Sequence, residues 1–254
     1  MSVNSEPLIL GIDSANSACS VALVRGDNIL GSITKEMTRG QAEELLVMAD
    51  DILKKAKVEP SSLDCVGVTV GPGSFTGLRI GLSAARGLAL SISRPCIGVT
   101  TFETVANGIA TDGKFINGDL EQQRLLVAIE TRREDFYVQL FDGNFLPLSS
   151  GAALHEDELV KMLNSHGENL LENLMISGDG ATRASTMLKN QGIKTATIIS
   201  SPQQSAVAVC KIAKTRYPPD VDAQPPQPLY LRPPEAKIPP PHSRAINIEP
   251  QTEL

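Results

Sequence analysis

Hydrophobic residues open this chain in short runs and then change period. Leu8 to Ile12 is an apolar run ending at Asp13, Cys19 to Val24 is a second, and Gly26-Asp27-Asn28 supplies a turn into a third, Ile29 to Lys35. These predict a three-stranded meander. From Gln41 to Lys57 the spacing becomes helical: Ala42, Leu45, Leu46, Ala49, Ile52, Leu53 and Ala56 form one seam, which Val47 and Met48 widen. Glu43 and Glu44 in its first turn, Lys54, Lys55 and Lys57 in its last, and Pro60 beyond suit the helix dipole and a stop signal. Cys65 to Val70 then reads as a buried strand, 77–93 as a helix and Cys96 to Val99 as a strand. The first half has the order β-β-β-α-β-α-β.

A helix from Phe102 to Ala110 leads into the polar, glycine-containing stretch Thr111 to Gln123, the expected crossing between halves. The order then restarts. Strands are expected at Arg124 to Glu130, Asp135 to Phe141 and, weakly, Leu146 to Ser150, followed by a helix from Glu156 to Leu163 and a strand from Leu174 to Ser177. Gly178-Asp179-Gly180-Ala181 opens a helix from Thr182 to Asn190; a strand near Thr195 to Ile199 and a helix from Pro202 to Arg216 follow. Both halves carry a Gly-x-Gly turn at the same strand-to-helix junction. The duplicated order resembles the actin-like ATPase superfamily, and the resemblance implies an α/β fold of two ribonuclease H-like halves with mixed sheets flanked by helices. The expected partition is 1–110, 111–217 and a tail, 218–254, which holds 11 of the 17 prolines and is barred from regular helix or sheet. That composition predicts a solvated or surface-clinging extension rather than a proline-motif ligand.

The 254 residues, 41% hydrophobic, suffice for one large or two small cores. A net charge of −6 without a basic stripe argues against strong independent binding to tRNA or DNA. Cys19, Cys65, Cys96 and Cys210 lack CxxC spacing and read as free thiols, three of them in apolar contexts, which suggests a reducing compartment. No basic n-region precedes an apolar core near the start, and no apolar run approaches the roughly 20 residues that cross a bilayer. The expected location is cytoplasmic, without membrane attachment.

Candidate chemistry centres on Gly71-Pro72-Gly73-Ser74-Phe75-Thr76-Gly77-Leu78-Arg79-Ile80-Gly81, a glycine loop between a strand and a helix. Such a loop points free amides and the positive end of a helix at an anion. Yet no Lys-Ser/Thr follows the last glycine, and the spacing of Gly71, Gly73 and Gly77 is one residue too long for the dinucleotide fingerprint. Asp13 and Glu130, at corresponding strand ends of the two halves, could face one cleft and hold a metal-bound phosphate with Gly71, Gly73 and Arg79. Asp13 equally suits an Asx turn, because Ser14-Ala15-Asn16-Ser17 follows it. The three histidines, His155, His166 and His242, form no metal-ligand spacing, and no Gly-x-Ser-x-Gly elbow exists. No catalytic residue, metal ligand or cofactor is assigned.

The helices carry a second candidate. Gly73, Gly77, Gly81 and Ala85 recur every fourth residue, allowing close backbone approach, while Leu78, Ile80, Leu82, Leu88 and Ile92 spread over the other sides. Leu45, Leu46, Ala49, Ile52 and Leu53 on the first helix and Leu78, Leu82, Ala85, Arg86 and Ala89 on the second are candidate partner contacts. Packing on the chain's own sheet accounts for the same pattern.

The stretch Gly71 to Gly81 resembles the hallmark of the bacterial TsaB-type proteins of tRNA threonylcarbamoyladenosine biosynthesis, part of the TsaD/Kae-like group of the actin-like superfamily. Supporting pieces are Ile9 to Ser14, Cys19 to Leu23, Arg39 to Glu43, Gly178 to Ala181 and Pro228-Leu229-Tyr230-Leu231-Arg232, so the resemblance spans about residues 8 to 232. Departures are Asp13-Ser14-Ala15 for a usual Asp-Thr-Ser, Gln41 for a common histidine and Glu130-Thr131-Arg132 for a common Asp-Ala-Arg. The resemblance implies a non-catalytic subunit. In the group, a TsaD-type paralogue with metal-binding histidines transfers the threonylcarbamoyl group to the adenosine beside the anticodon. The comparable segment here, Gly98 to Thr104, has no histidine. It further implies a heterodimer with that paralogue through the two helices, recruitment of a TsaE-type ATPase, a homodimer when alone, and tRNA contact only through the complex. On that reading Leu46→Asp or Ala85→Glu would block association and spare the fold. The alternatives are an actin-fold ATPase or kinase using Asp13 and Glu130, and a glycoprotease, an older label for the group that would need the missing metal cluster.

Overall fold

A computed structural model describes residues 6–37, 40–111, 123–131, 133–167, 174–193, 196–199, 205–220 and 222–232. The expected crossing between halves lies largely outside them, as does the tail after residue 232. The first sheet is built from β1 (Leu8–Asp13), β2 (Ala18–Arg25), β3 (Asn28–Glu36), β4 (Cys65–Gly71) and β5 (Cys96–Thr100), in the order β3-β2-β1-β4-β5. The second contains β6 (Arg124–Glu130), β7 (Phe136–Asp142), β8 (Ala152–Leu154), β9 (Leu174–Ser177) and β10 (Ala196–Ile199). Read from β8 its order is β8-β7-β6-β9-β10, the same pattern. In each, the first three strands pair antiparallel and the last two join parallel. The duplication expected from element order is therefore present in strand topology.

Alternation along β1 shows how the first sheet is covered. Leu8, Leu10 and Ile12 face α1 (Gln41–Ala56) and α2 (Phe75–Ser91), while Ile9 faces α6 (Ser205–Thr215). Gly11 shares the α6 side, and a Cβ there would lie 2.4 Å from the Ala206 carbonyl oxygen and 2.6 Å from Cys210 Sγ. Close contact with α6 requires glycine at this point. On the second sheet, α4 (Glu156–Ser165) and α5 (Ala181–Asn190) cover one face, and α3 (Thr101–Thr111) covers the other through Phe102, Val105, Ala106 and Ile109. The chain thus exchanges cover: α3 follows the first sheet but packs on the second, and α6 follows the second but packs on the first. The two exchanged helices also pack on each other.

Two element expectations need correction. The third strand of the second half is Ala152–Leu154, not Leu146 to Ser150. The Asp142 side chain accepts hydrogen bonds from the amides of Asn144 and Leu146, holding 142–146 as a turn, and Leu146 is 62% exposed. The second helix starts at Phe75, two residues before Gly77, because Ser74 caps it. The proline-rich residues 217–220 and 222–232 have no regular secondary structure but lie against the body. Leu229 donates its amide to the Val70 carbonyl, and Gly98 leaves room for Pro226.

Candidate functional site

The glycine loop follows directly from β4. Gly71 adopts φ 115°, a left-handed value that favours glycine, and Ser74 turns the chain into α2 by accepting the Gly77 amide at 3.3 Å. What occupies the loop is the chain itself. The Ser74 amide donates to the Ala15 carbonyl at 2.6 Å, and Ser14 Oγ donates to the Gly77 carbonyl at 2.8 Å. Cβ atoms on Gly73 and Gly77 would lie 2.3 and 2.1 Å from the Ala15 and Ser14 carbonyl oxygens, and one on Gly81 would lie 2.3 Å from Ser14 Oγ. The four-residue glycine stripe is therefore the seat of the turn after β1. The Ser74 amide and the space beside Gly73 and Gly77, which an anion would use, are spent on that turn. Asp13, 4% exposed, accepts the Ala15 amide at 3.1 Å, so it closes an Asx turn that fixes this plug.

The second half repeats the arrangement with more charge. At the β9–α5 junction Gly180 donates its amide to the Ala128 carbonyl, and a Cβ on Gly178 would lie 2.2 Å from that oxygen. Asp179 accepts the Glu130 amide at 2.8 Å; burial, with Glu130 adding charge, holds its carboxyl above the usual range. Glu130 receives a bidentate pair from Arg183, Nε to Oε2 at 2.9 Å and Nη2 to Oε1 at 2.8 Å. The same guanidinium stacks 3.7 Å above the Phe136 ring and donates to the Asp135 carbonyl. Asp135, 6% exposed, meets Arg232 and Thr131; burial pushes its carboxyl up, but these hydrogen bonds outweigh it and the net shift is downward. Sequence spacing could not show the Glu130–Arg183 pair, because its members are 53 residues apart. The available signal was an arginine in the first turn of α5, where the dipole disfavours a cation.

The candidate partner contacts divide sharply. Leu45, Ala49, Ile52, Leu53, Leu78, Leu82, Ala85 and Ala89 are each at most 5% exposed, and most join the core formed with β1, β2 and β4. The seam thus faces the chain's own sheet, as periodicity alone also allowed. Leu46 and Arg86 remain on the surface, alongside Val47 and Leu90, which are 52% and 81% exposed. Ala85, with no exposed surface, cannot carry a test that spares the fold. Arg79 stands 3.7 Å over the Phe75 ring and donates to Tyr230 Oη at 3.1 Å, while Tyr230 packs on Phe75. The histidine-free segment Gly98 to Thr104 forms a capping box. The Glu103 amide donates to Thr100 Oγ1, the Thr100 amide donates to Glu103 Oε2, and Arg216 pairs with Glu103.

All four cysteines are free; burial pushes the thiols of Cys19 up to about 11 and of Cys65 and Cys96 to about 12. At neutral pH these are protonated and unreactive. Among the described residues no three His, Cys, Asp or Glu side chains converge as a metal site would need. No helix among them is long and apolar enough to cross a membrane.

Two sheets of identical strand order, each opening a helix through a glycine turn seated on its first hairpin, define an actin-like, ribonuclease H-like fold. A Pseudomonas aeruginosa structure described as similar to the peptidase YeaZ superposes with a TM-score of 0.71 over 89% of this chain and 100% of that one, at 24% identity. A second, YeaZ from Pseudomonas aeruginosa, gives 0.65 over 83% and 93%, also at 24%. The family model TsaD, tRNA N6-adenosine threonylcarbamoyltransferase, matches residues 28–239, and the chain belongs to that family. Its TsaB-type relatives include the tRNA threonylcarbamoyladenosine biosynthesis protein TsaB of Escherichia coli, 38% identical over 51% of this chain and 52% of that protein. The TsaB of Buchnera aphidicola from Schizaphis graminum is 25% identical over 68% and 79%. The chain spans about half the length of the first curated relatives it matches. The resemblance carried by Gly71 to Gly81 is thus shown.

Proposed function

We propose that this chain is a non-catalytic subunit of the tRNA threonylcarbamoyladenosine-forming complex, which binds and supports a TsaD-type transferase and helps recruit a TsaE-type ATPase. The observation that carries the non-catalytic part is the filled glycine loop: the Ser14-Ala15 turn occupies the place an anion would take, and Glu130 is held by Arg183. The family match and the TsaB-type relatives support the pathway. Exposed Leu46, Val47 and Leu90 on α1 and α2 support a docking role for the outward faces of these helices. The reading includes a heterodimer with the transferase, a homodimer when alone, tRNA contact only through the complex and a cytoplasmic location.

Reconstitution tests it. Threonylcarbamoyladenosine formation on tRNA by the transferase and the ATPase should depend on added chain, and full activity without it overturns the proposal. A calorimetric titration with Mg-ATP addresses the ATPase or kinase reading, which requires submillimolar binding weakened by Asp13→Asn and Glu130→Gln.

A further inference from the structure

Beside α2 the strap formed by residues 217–220 and 222–228 leaves an open groove of about 1040 Å³ between itself and the helix. That volume lies at the upper end of small-molecule sites, about 300 to 1,000 Å³, and a trough open to solvent suits a length of chain better than an enclosed ligand. Its chemistry runs against the rest of the molecule. The chain carries −6 overall, yet Arg79, Arg86 and Arg94 all line this groove. Arg79 gives its Nε–H to a neutral phenol and its face to a ring, and no ion pair among the described residues involves it. Arg86 and Arg94 are exposed, and Arg86 lies close enough to Cys96 to pull its thiol down against burial.

Two acids also line the groove, Asp64 and Asp220. Asp64 accepts the Leu8 amide at 2.7 Å, and the three guanidiniums outnumber the two carboxylates, so the lining is positive by one charge. Leu90, 81% exposed, adds an apolar contact on the helix side. Prolines 218, 219, 225 and 228 line the strap side and give a wall with fixed φ and no amide protons. Arg79 and Arg86 are seven residues apart on one helix, roughly 10 Å at 1.5 Å per residue, about one three-residue turn of a polyproline II strand, which returns its side chains to the same face.

We propose that this groove docks an extended, acidic segment of a partner protein, with carboxylates about three residues apart pairing to Arg79, Arg86 and Arg94 and an apolar side chain against Leu90. Charge complementarity selects this occupant. Guanidinium forks favour carboxylates, and a proline-walled trough favours an unpaired extended strand over a helix. The inference goes beyond the complex proposed above, and it is tested on the chain alone so that the two stand or fall separately.

The experiment is a fluorescence anisotropy titration with a labelled decapeptide carrying glutamate at every third position and leucines between. Saturable binding that weakens with salt is expected. Arg86→Glu combined with Arg94→Glu should lower affinity at least tenfold, and Leu90→Ser severalfold, with unchanged melting curves for both exposed-site variants. Equal binding of the glutamine-for-glutamate peptide, an affinity untouched by the double variant, or no saturable binding overturns the proposal. Displacement of the bound peptide by a short RNA oligomer at equal concentration would overturn it in favour of a general anion surface.

Discussion

At the scale of single residues, the glycines of α2 make opposite demands on the same helix. Gly77 has its missing Cβ 2.1 Å from the Ser14 carbonyl oxygen, whereas Gly87 would meet nothing within 4 Å. Gly77→Ala therefore forces apart α2 and the turn after β1 and should cost about 1–3 kcal/mol, like other overpacking changes. Gly87→Ala should stabilise by about 0.5–1 kcal/mol through helix propensity alone. Urea unfolding midpoints of the two variants should move in opposite directions; a shared direction would mean the stripe is not a packing device. Asp135 gives a pH signature. Its carboxyl is lowered in the fold, so its contribution is present above the ordinary aspartate pKa of about 3.9 and is lost as pH falls through the lowered value. Asp135→Asn should reduce stability at pH 7 and flatten the loss below pH 4, measured by thermal melts across that range.

Among the elements, α1 and α2 separate a surface role from a core role. Leu46 is 50% exposed and Ala85 not at all. Leu46→Asp should leave the melting curve within about 0.5 kcal/mol of the parent, as surface changes do. It should also abolish co-elution with the proposed TsaD-type partner. Ala85→Glu should unfold the chain by burying an unpaired charge against the core. Retained co-elution of Leu46→Asp would remove α1 from the docking face. The same helices show how much the sequence reveals. Period, end charges and the proline stop located α1 almost to the residue, and repeated element order announced the two matching sheets. Periodicity could not say which face of α1 was spent inside, because a seam packed on a sheet and a seam offered to a partner look alike. Nor could it find the Arg183–Glu130 and Arg232–Asp135 pairs, whose members lie 53 and 97 residues apart, or the ordered strap, which has no period.

For the molecule as a whole, that strap joins what the exchanged helices α3 and α6 begin. Arg216 fixes its start to Glu103 and the Gly98 carbonyl, Leu229 bonds to Val70 on the first sheet, and Arg232 reaches Asp135 beside the second while lying 5.2 Å from the Tyr137 ring. Prolines suit this path, since their φ is fixed and few amides need partners. Between its anchors Tyr230 also holds Arg79 and Phe75 at the start of α2. Removing Tyr230 and Arg232 together leaves the Asp135 carboxylate buried without its guanidinium and uncovers the glycine-loop end of α2. Tyr230→Ala with Arg232→Ala should therefore speed hydrogen exchange in both 65–71 and 136–142, one stretch on each sheet, while β2 in the first core stays protected. Exchange that rises only within 229–232 would show the strap to be a passive covering, and α3 and α6 would then be the elements that place the sheets among the described residues.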